Sequence, residues 1–267
     1  MKSILNTVLC GGATVAIAIS MAPVLTSCST PSSKPFATDS VSIERSWTMN
    51  KAMEDDDLDG RSTYSAVVDY PTNDNTGDLN DSVRLWMSNQ LLPASSEPVL
   101  TKRVLEEAAN VFFGENDGNE WGAERTISIR KVFEDKRYVT FEVCNYIYSG
   151  GAAHGMYSAV GTTFVKSNGS RVTWQNINKT DDLRKMITEK VAASREVTTD
   201  QLKGEVIIDE SECKLADGTF ALPFPQNSPW LVDSGWNFSY DLYEIMCYAD
   251  GIPAGVVGRD SVKLTQE

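Results

Sequence analysis

The residues best placed to do chemistry lie in one short stretch, Tyr148-Ser-Gly-Gly-Ala-Ala-His-Gly-Met-Tyr157. It holds His154, the only histidine of the 267-residue chain. Histidine titrates near neutrality and serves as a general base, a metal ligand or a hydrogen-bond partner. As the base for a cysteine nucleophile it needs the thiol within about 3 Å. If Tyr148 opposes Gly155 across a hairpin, His154 opposes Ser149, five positions along the strand from Cys144. That is roughly 17 Å at about 3.3 Å per residue, so Cys144 is not its partner.

Other chemistries fare no better. Ser149 lies across the loop, but no G-x-S-x-G elbow occurs in the chain to present a serine nucleophile. A zinc site built on one histidine needs three more cysteine or carboxylate ligands, and none stands at a recognisable spacing. Gly150-Gly151 is followed by a strand pattern, where a phosphate cradle needs a helix N-terminus. The two glycines read instead as the means of turning the chain, with His154 packing or hydrogen-bonding to hold the loop. No catalytic residue, metal or cofactor is therefore expected. Paired carboxylates of the glycosidase type stay open among 37 Asp and Glu, so an envelope hydrolase acting on peptidoglycan or a glycan is the alternative.

The elements that must position this loop are legible. Thr126–Phe133 and Arg137–Tyr148 alternate as strands about a short turn, and Met156–Lys166 follows as a third strand. The turn signal Asn168-Gly169 predicts a fourth, Arg171–Trp174, in an antiparallel meander. In the register set by the loop, Ile147 opposes Met156, Val143 opposes Val160, Phe141 opposes Thr162 and Val139 opposes Phe164, an aliphatic face that belongs inside. Tyr146 with Tyr157, Cys144 with Ala159 and Tyr138 with Val165 make the other face. Helical spacing predicts helices after Asp78, over Thr101–Phe113 and after the cap Thr180, with a strand beginning at Trp236. The fold class is α+β, an antiparallel meander with helices packed on one face.

The first 27 residues have the layout of an export signal, and Leu25-Thr-Ser-Cys28 resembles a bacterial lipobox. Cleavage before Cys28 and lipidation of its thiol follow from that resemblance. Residues 28–41 are rich in Ser, Thr and Pro and read as a flexible tether. The stretch from Ser42 to Val68 is irregular apart from a strand at Thr63–Val68. Within it Asp55, Asp57, Asp59 and Gly60 open like a calcium loop, but Ala66 stands where the closing glutamate belongs, so a solvated acidic loop is expected. A net charge of -13 repels nucleic acid and suits a basic partner or plain solubility. No cysteine pair has CxxC spacing, and Cys213 with Cys247 is the pair to test for a disulfide.

Two segments carry a family resemblance. Tyr148–Gly155, leading to Thr162-Thr-Phe164, is similar to the GGAH signature of the RsiV-like extracytoplasmic domain. Phe238-Ser-Tyr-Asp-Leu-Tyr-Glu-Ile-Met-Cys-Tyr-Ala-Asp-Gly251 resembles its second signature. Val67-Val-Asp-Tyr-Pro71 and the helix at Leu79–Trp86 resemble its N-terminal companion, which gives a companion region at 42–120 and an RsiV-like domain at 121–267. The chain departs from the pattern at Lys166-Ser167, where an aspartate often follows the strand, and at Ala152-Ala153, which lengthens the loop. The resemblance implies an exported, membrane-tethered α+β domain of the cell envelope, periplasmic or on the surface, that binds a protein or a peptidoglycan or glycan ligand. In the RsiV anti-sigma factor that ligand is lysozyme. Tyr148, Gly150, Gly151, His154, Tyr157, Tyr243 and Tyr248 lie in or beside the signatures and are the candidate binding residues.

Overall fold

The computed structural model describes residues 34–48, 60–75, 77–92 and 102–265. Cys28, the acidic residues Asp55, Asp57 and Asp59, and the first part of the tether lie outside the described residues. Five strands make the main sheet in sequence order. They are β1 (Thr38–Thr48), β2 (Arg61–Pro71), β3 (Ala123–Glu134), β4 (Tyr138–Ser149) and β5 (Met156–Val165). All neighbours are antiparallel except β2 and β3, which run parallel. A parallel pair needs a long crossover, and here α1 (Asp78–Leu91) and α2 (Lys102–Glu115) supply it.

Both crossover helices follow from their apolar spacing. Val83, Trp86, Met87 and Leu91 of α1, and Val104, Leu105, Ala108 and Phe112 of α2, are buried on the sheet. They meet Tyr64, Val68, Ile127, Ile129, Val139, Phe141, Val143 and Phe164 in one core cluster. Phe141 is the hub, with Phe36 edge-on at 6.1 Å and Trp86 at 6.4 Å between ring centres. The pairing of β4 with β5 is the register read from the sequence, from Tyr138 opposite Val165 to Ile147 opposite Met156.

Two expectations need correction, and one face of the main sheet carries a covering layer that alternation alone does not reveal. Arg171–Trp174 forms no strand; a single bridge joins Arg171 to Phe164. Thr38–Thr48, assigned partly to the tether and partly to irregular chain, is β1, and Phe36 before it is already buried at 4% exposure. The face carrying Tyr138, Cys144 and Tyr146 is not an open surface along its whole length. A second sheet, β6 (Trp230–Val232), β7 (Gly235–Ser239) and β8 (Ala254–Val257), covers its first half, and α3 (Asp181–Ser194), followed by the short α4 (Thr199–Leu202), packs behind it. Residues Pro35–Glu267 form one compact unit.

Polar groups on that covered face are matched inside, so burying them costs little. The Thr140 and Thr163 hydroxyls lie 2.9 Å apart, the Leu231 N–H donates to Thr163 Oγ1 at 2.8 Å, and Trp230 Nε1–H donates to Glu142 at 3.1 Å. Gly161 is the close-approach point, since a Cβ there would lie 2.1 Å from the Trp230 ring. At the β3–β4 turn, Lys166 pairs with Glu134 at 2.6 Å and Lys131 with the other carboxylate oxygen at 3.0 Å. Lys166 thus ties the end of β5 to the turn.

Candidate functional site

The second half of the β4–β5 hairpin runs past the covering sheet, and there the sequence candidates meet. Gly151 turns the loop with φ +85°, a conformation that suits glycine. Gly150 is required by close approach, because a Cβ would lie 2.4 Å from the Trp121 Cβ and 2.2 Å from the Gly122 carbonyl. The Gly150 N–H donates to that carbonyl at 2.7 Å. Within the loop, the Tyr148 hydroxyl donates to the Ala152 carbonyl at 3.3 Å.

His154 is held between two tyrosines of the β7–β8 connection. Its ring stacks on Tyr248 with centres 3.6 Å apart and planes 19° apart, and its Nε2 lies 3.2 Å from the Tyr243 hydroxyl. Tyr248 donates its hydroxyl to the Gly155 carbonyl at 2.8 Å, and Tyr157 meets the Tyr248 ring edge-on at 6.3 Å. Tyr243 adopts φ +66°, a left-handed conformation that costs energy for a residue with a Cβ. Its side is 47% exposed, so burial does not repay that cost.

The tyrosine-bearing connection is anchored from behind. The buried Tyr240 hydroxyl donates to the Pro223 carbonyl at 2.6 Å, and Ser239 Oγ donates to Ala159 of β5 at 2.8 Å. Glu244 accepts from the N–H groups of Asp241 and Gln226 at 2.7 Å each. Arg195, at the C-cap of α3, binds the Asp250 carboxylate at 2.6 Å and its carbonyl at 3.0 Å while also pairing with Glu205. Tyr248 is therefore fixed by the body of the protein, and the loop histidine docks onto it.

All the candidate residues fall at this one end, in two groups. His154, Tyr157, Tyr243 and Tyr248 form the ring cluster, while Tyr148, Gly150 and Gly151 shape the loop beside it. Sequence reasoning missed Trp121, which is 55% exposed in the α2–β3 connection and packs on the double glycine. It also missed Tyr146, Glu124 and the tyrosines around them as one group. Burial raises the Tyr146 hydroxyl pKa, and the Glu124 charge and the Tyr248 and Tyr148 hydroxyls add to it. Alternation places Tyr146 on a strand but starts the preceding strand at Thr126, so Glu124 joins the group only through its observed pairing with Tyr148 in β3.

Chemically the cluster offers rings, hydroxyls and carboxylates. His154 addresses a tyrosine hydroxyl and no serine or cysteine, and Cys144 lies up the strand opposite Ala159. Cys213 is a buried free thiol and Cys247 an exposed one, so the pair considered for a disulfide is unjoined. Cys247 Sγ instead donates to Asp250 at 2.7 Å. Among the described residues no group of three His, Cys, Asp or Glu gathers to hold a metal.

No family model and no curated protein matches the chain. Solved structures do. A member of the DUF3298 family from Bacteroides fragilis superposes with a TM-score of 0.61 at 18% identity, covering 84% of this chain and 91% of that one. A DUF3298 family protein from Pseudomonas aeruginosa superposes with a TM-score of 0.58 at 15% identity, covering 86% and 95%. DUF3298 proteins are bacterial extracytoplasmic domains to which the RsiV-like domain is related. At these identities the likeness establishes the fold: an α+β chain built as DUF3298 structures are.

Proposed function

We propose that this chain is a lipid-anchored domain of the bacterial envelope that binds a protein or cell-wall ligand and performs no catalysis. The observation that carries the reading is the partly exposed ring cluster of His154, Tyr157, Tyr243 and Tyr248, in which Tyr243 is kept in a strained conformation at the surface. Rigid aromatic side chains with polar tips are the favoured anchors of binding surfaces, and strain retained at a surface points to use there. The acidic charge of -13 suits a basic, lysozyme-like partner and excludes nucleic acid as the target. Cys28 is the proposed attachment point, which places the domain on the periplasmic or outer surface of a membrane.

The test is direct. The full chain is mixed with lysozyme, and separately with insoluble peptidoglycan, at low and moderate salt. Binding to one of them, weakened at least about tenfold by Tyr243→Ala, is expected. Retention of neither at either salt concentration sinks the proposal. Cys28→Ser tests the anchor, and should move the chain from the membrane fraction to the soluble one.

A further inference from the structure

We infer that the surface binds an oligosaccharide, with Trp121 as a second aromatic wall opposite the His154 cluster. The inference rests on the binding role proposed above and names its ligand class. Trp121 is the most exposed large aromatic side chain among the described residues, at 55%. Its position is nonetheless fixed. Its N–H donates to Asn119 Oδ1 at 3.1 Å, and its indole lies against Gly151, where a Cβ would stand 3.7 Å from the ring. An indole that is braced on one side and bare on the other offers a flat apolar face at little cost in entropy.

From Gly151 the chain reaches His154 in three residues, at most about 11 Å. The side chains between the two walls are no larger than methyl groups, at Ala152 and Ala153, and both residues are exposed. The two walls therefore flank a strip of bare backbone that a short chain of sugar rings can bridge. Pyranose rings present C–H faces to aromatic walls and hydroxyls to whatever lies beside them. Glu120 and Glu124 flank Trp121 in the sequence, and both are exposed. They accept hydrogen bonds from hydroxyls and repel anionic lipid or phosphate. A flat protein interface wants an apolar centre, whereas here the centre is backbone and methyl groups with hydrogen-bonding groups around it.

The experiment titrates the full chain with tri-N-acetylchitotriose, reads tryptophan fluorescence and repeats the titration by calorimetry. Saturable binding is expected, about tenfold weaker in Trp121→Ala and restored in large part by Trp121→Phe, which keeps a flat ring. Thermal melts of each variant separate lost binding from lost folding. Lysozyme is the parallel probe. Sugar binding that Trp121→Ala leaves unchanged overturns the inference. So does an absence of sugar binding while Tyr243→Ala still weakens lysozyme binding; in that case the binding surface stands and its ligand is a protein. If neither of these probes nor insoluble peptidoglycan binds, the underlying binding role falls as well.

Discussion

The two ends of the β4–β5 hairpin carry the same alternation and serve opposite purposes. At the Tyr138–Val165 end, helices cover one face and the second sheet the other, so Tyr138, Val139, Thr140 and Phe141 are all buried. At the Ile147–Met156 end both coverings stop. Ile147, Met156 and Tyr157 are 37–40% exposed, and the rings beside them are packed mainly against one another. One end is held by neighbours on both faces, and the other by contacts among its own aromatic rings. The comparison teaches that alternation identifies a strand but not which part of it the fold will cover.

Perturbing the closed end should have the largest effect on stability. Phe141→Ala removes the ring between Phe36 and Trp86 and is expected to cost about 3–5 kcal/mol by denaturant unfolding. Gly161→Ala forces a methyl into the Trp230 ring and should cost about 1–3 kcal/mol, with a shift in indole fluorescence.

The Glu134 turn at the same end should show its contribution through pH. Burial disfavours the Glu134 charge, but hydrogen bonds from Lys166, the Phe36 N–H and Lys131 outweigh it and hold the carboxyl below its ordinary range. A depressed carboxyl contributes stability above its unfolded pKa and loses it as pH falls through the folded value. The advantage of the native chain over Glu134→Gln, on the order of 1–2 kcal/mol, should be constant from pH 7 to about 5 and vanish at more acid pH. Urea melts across that range check it; an advantage that grows toward acid would contradict the assignment.

At the open end, Tyr243→Ala should change stability by less than about 1 kcal/mol while weakening binding. A large loss of stability there would erase the contrast between the ends. The smallest perturbation is chemical: a thiol reagent should label Cys247 in the native chain and reach Cys213 only on unfolding.

Much of this arrangement was legible in the residues. The register of β4 and β5 followed from apolar alternation around a glycine-rich loop, because a one-residue slip would have turned Phe141 and Val143 outward. Thr180 announced its helix, and its hydroxyl does accept the Leu183 N–H at 3.1 Å. The covering of the tyrosine face was hidden because Thr140, Glu142 and Thr163 look solvent-facing until the bonds that satisfy them are seen. β1 was hidden because edge position leaves it half exposed, with Val41 and Ile43 set among Ser, Glu and Arg. Trp121 was illegible as a neighbour of the double glycine. The β3–β4 pairing of Ala123 with Ser149 and the hydrogen bond from Gly150 to Gly122 bring the two connections together.

The parallel junction of β2 with β3 has a consequence for how the chain is assembled. Strands β3 to β5 find one another through short connections, but β2 can dock only after the whole α1–α2 crossover has closed behind it. Such long closures are slow, and until then β3 offers a raw edge carrying Ile127 and Ile129. A chain severed after Glu120 should therefore give two pieces that neither persist alone nor stay soluble, yet recombine when mixed. Because synthesis runs from the N-terminus, β1, β2 and the crossover helices must wait for β3 before the inner edge of β2 is paired.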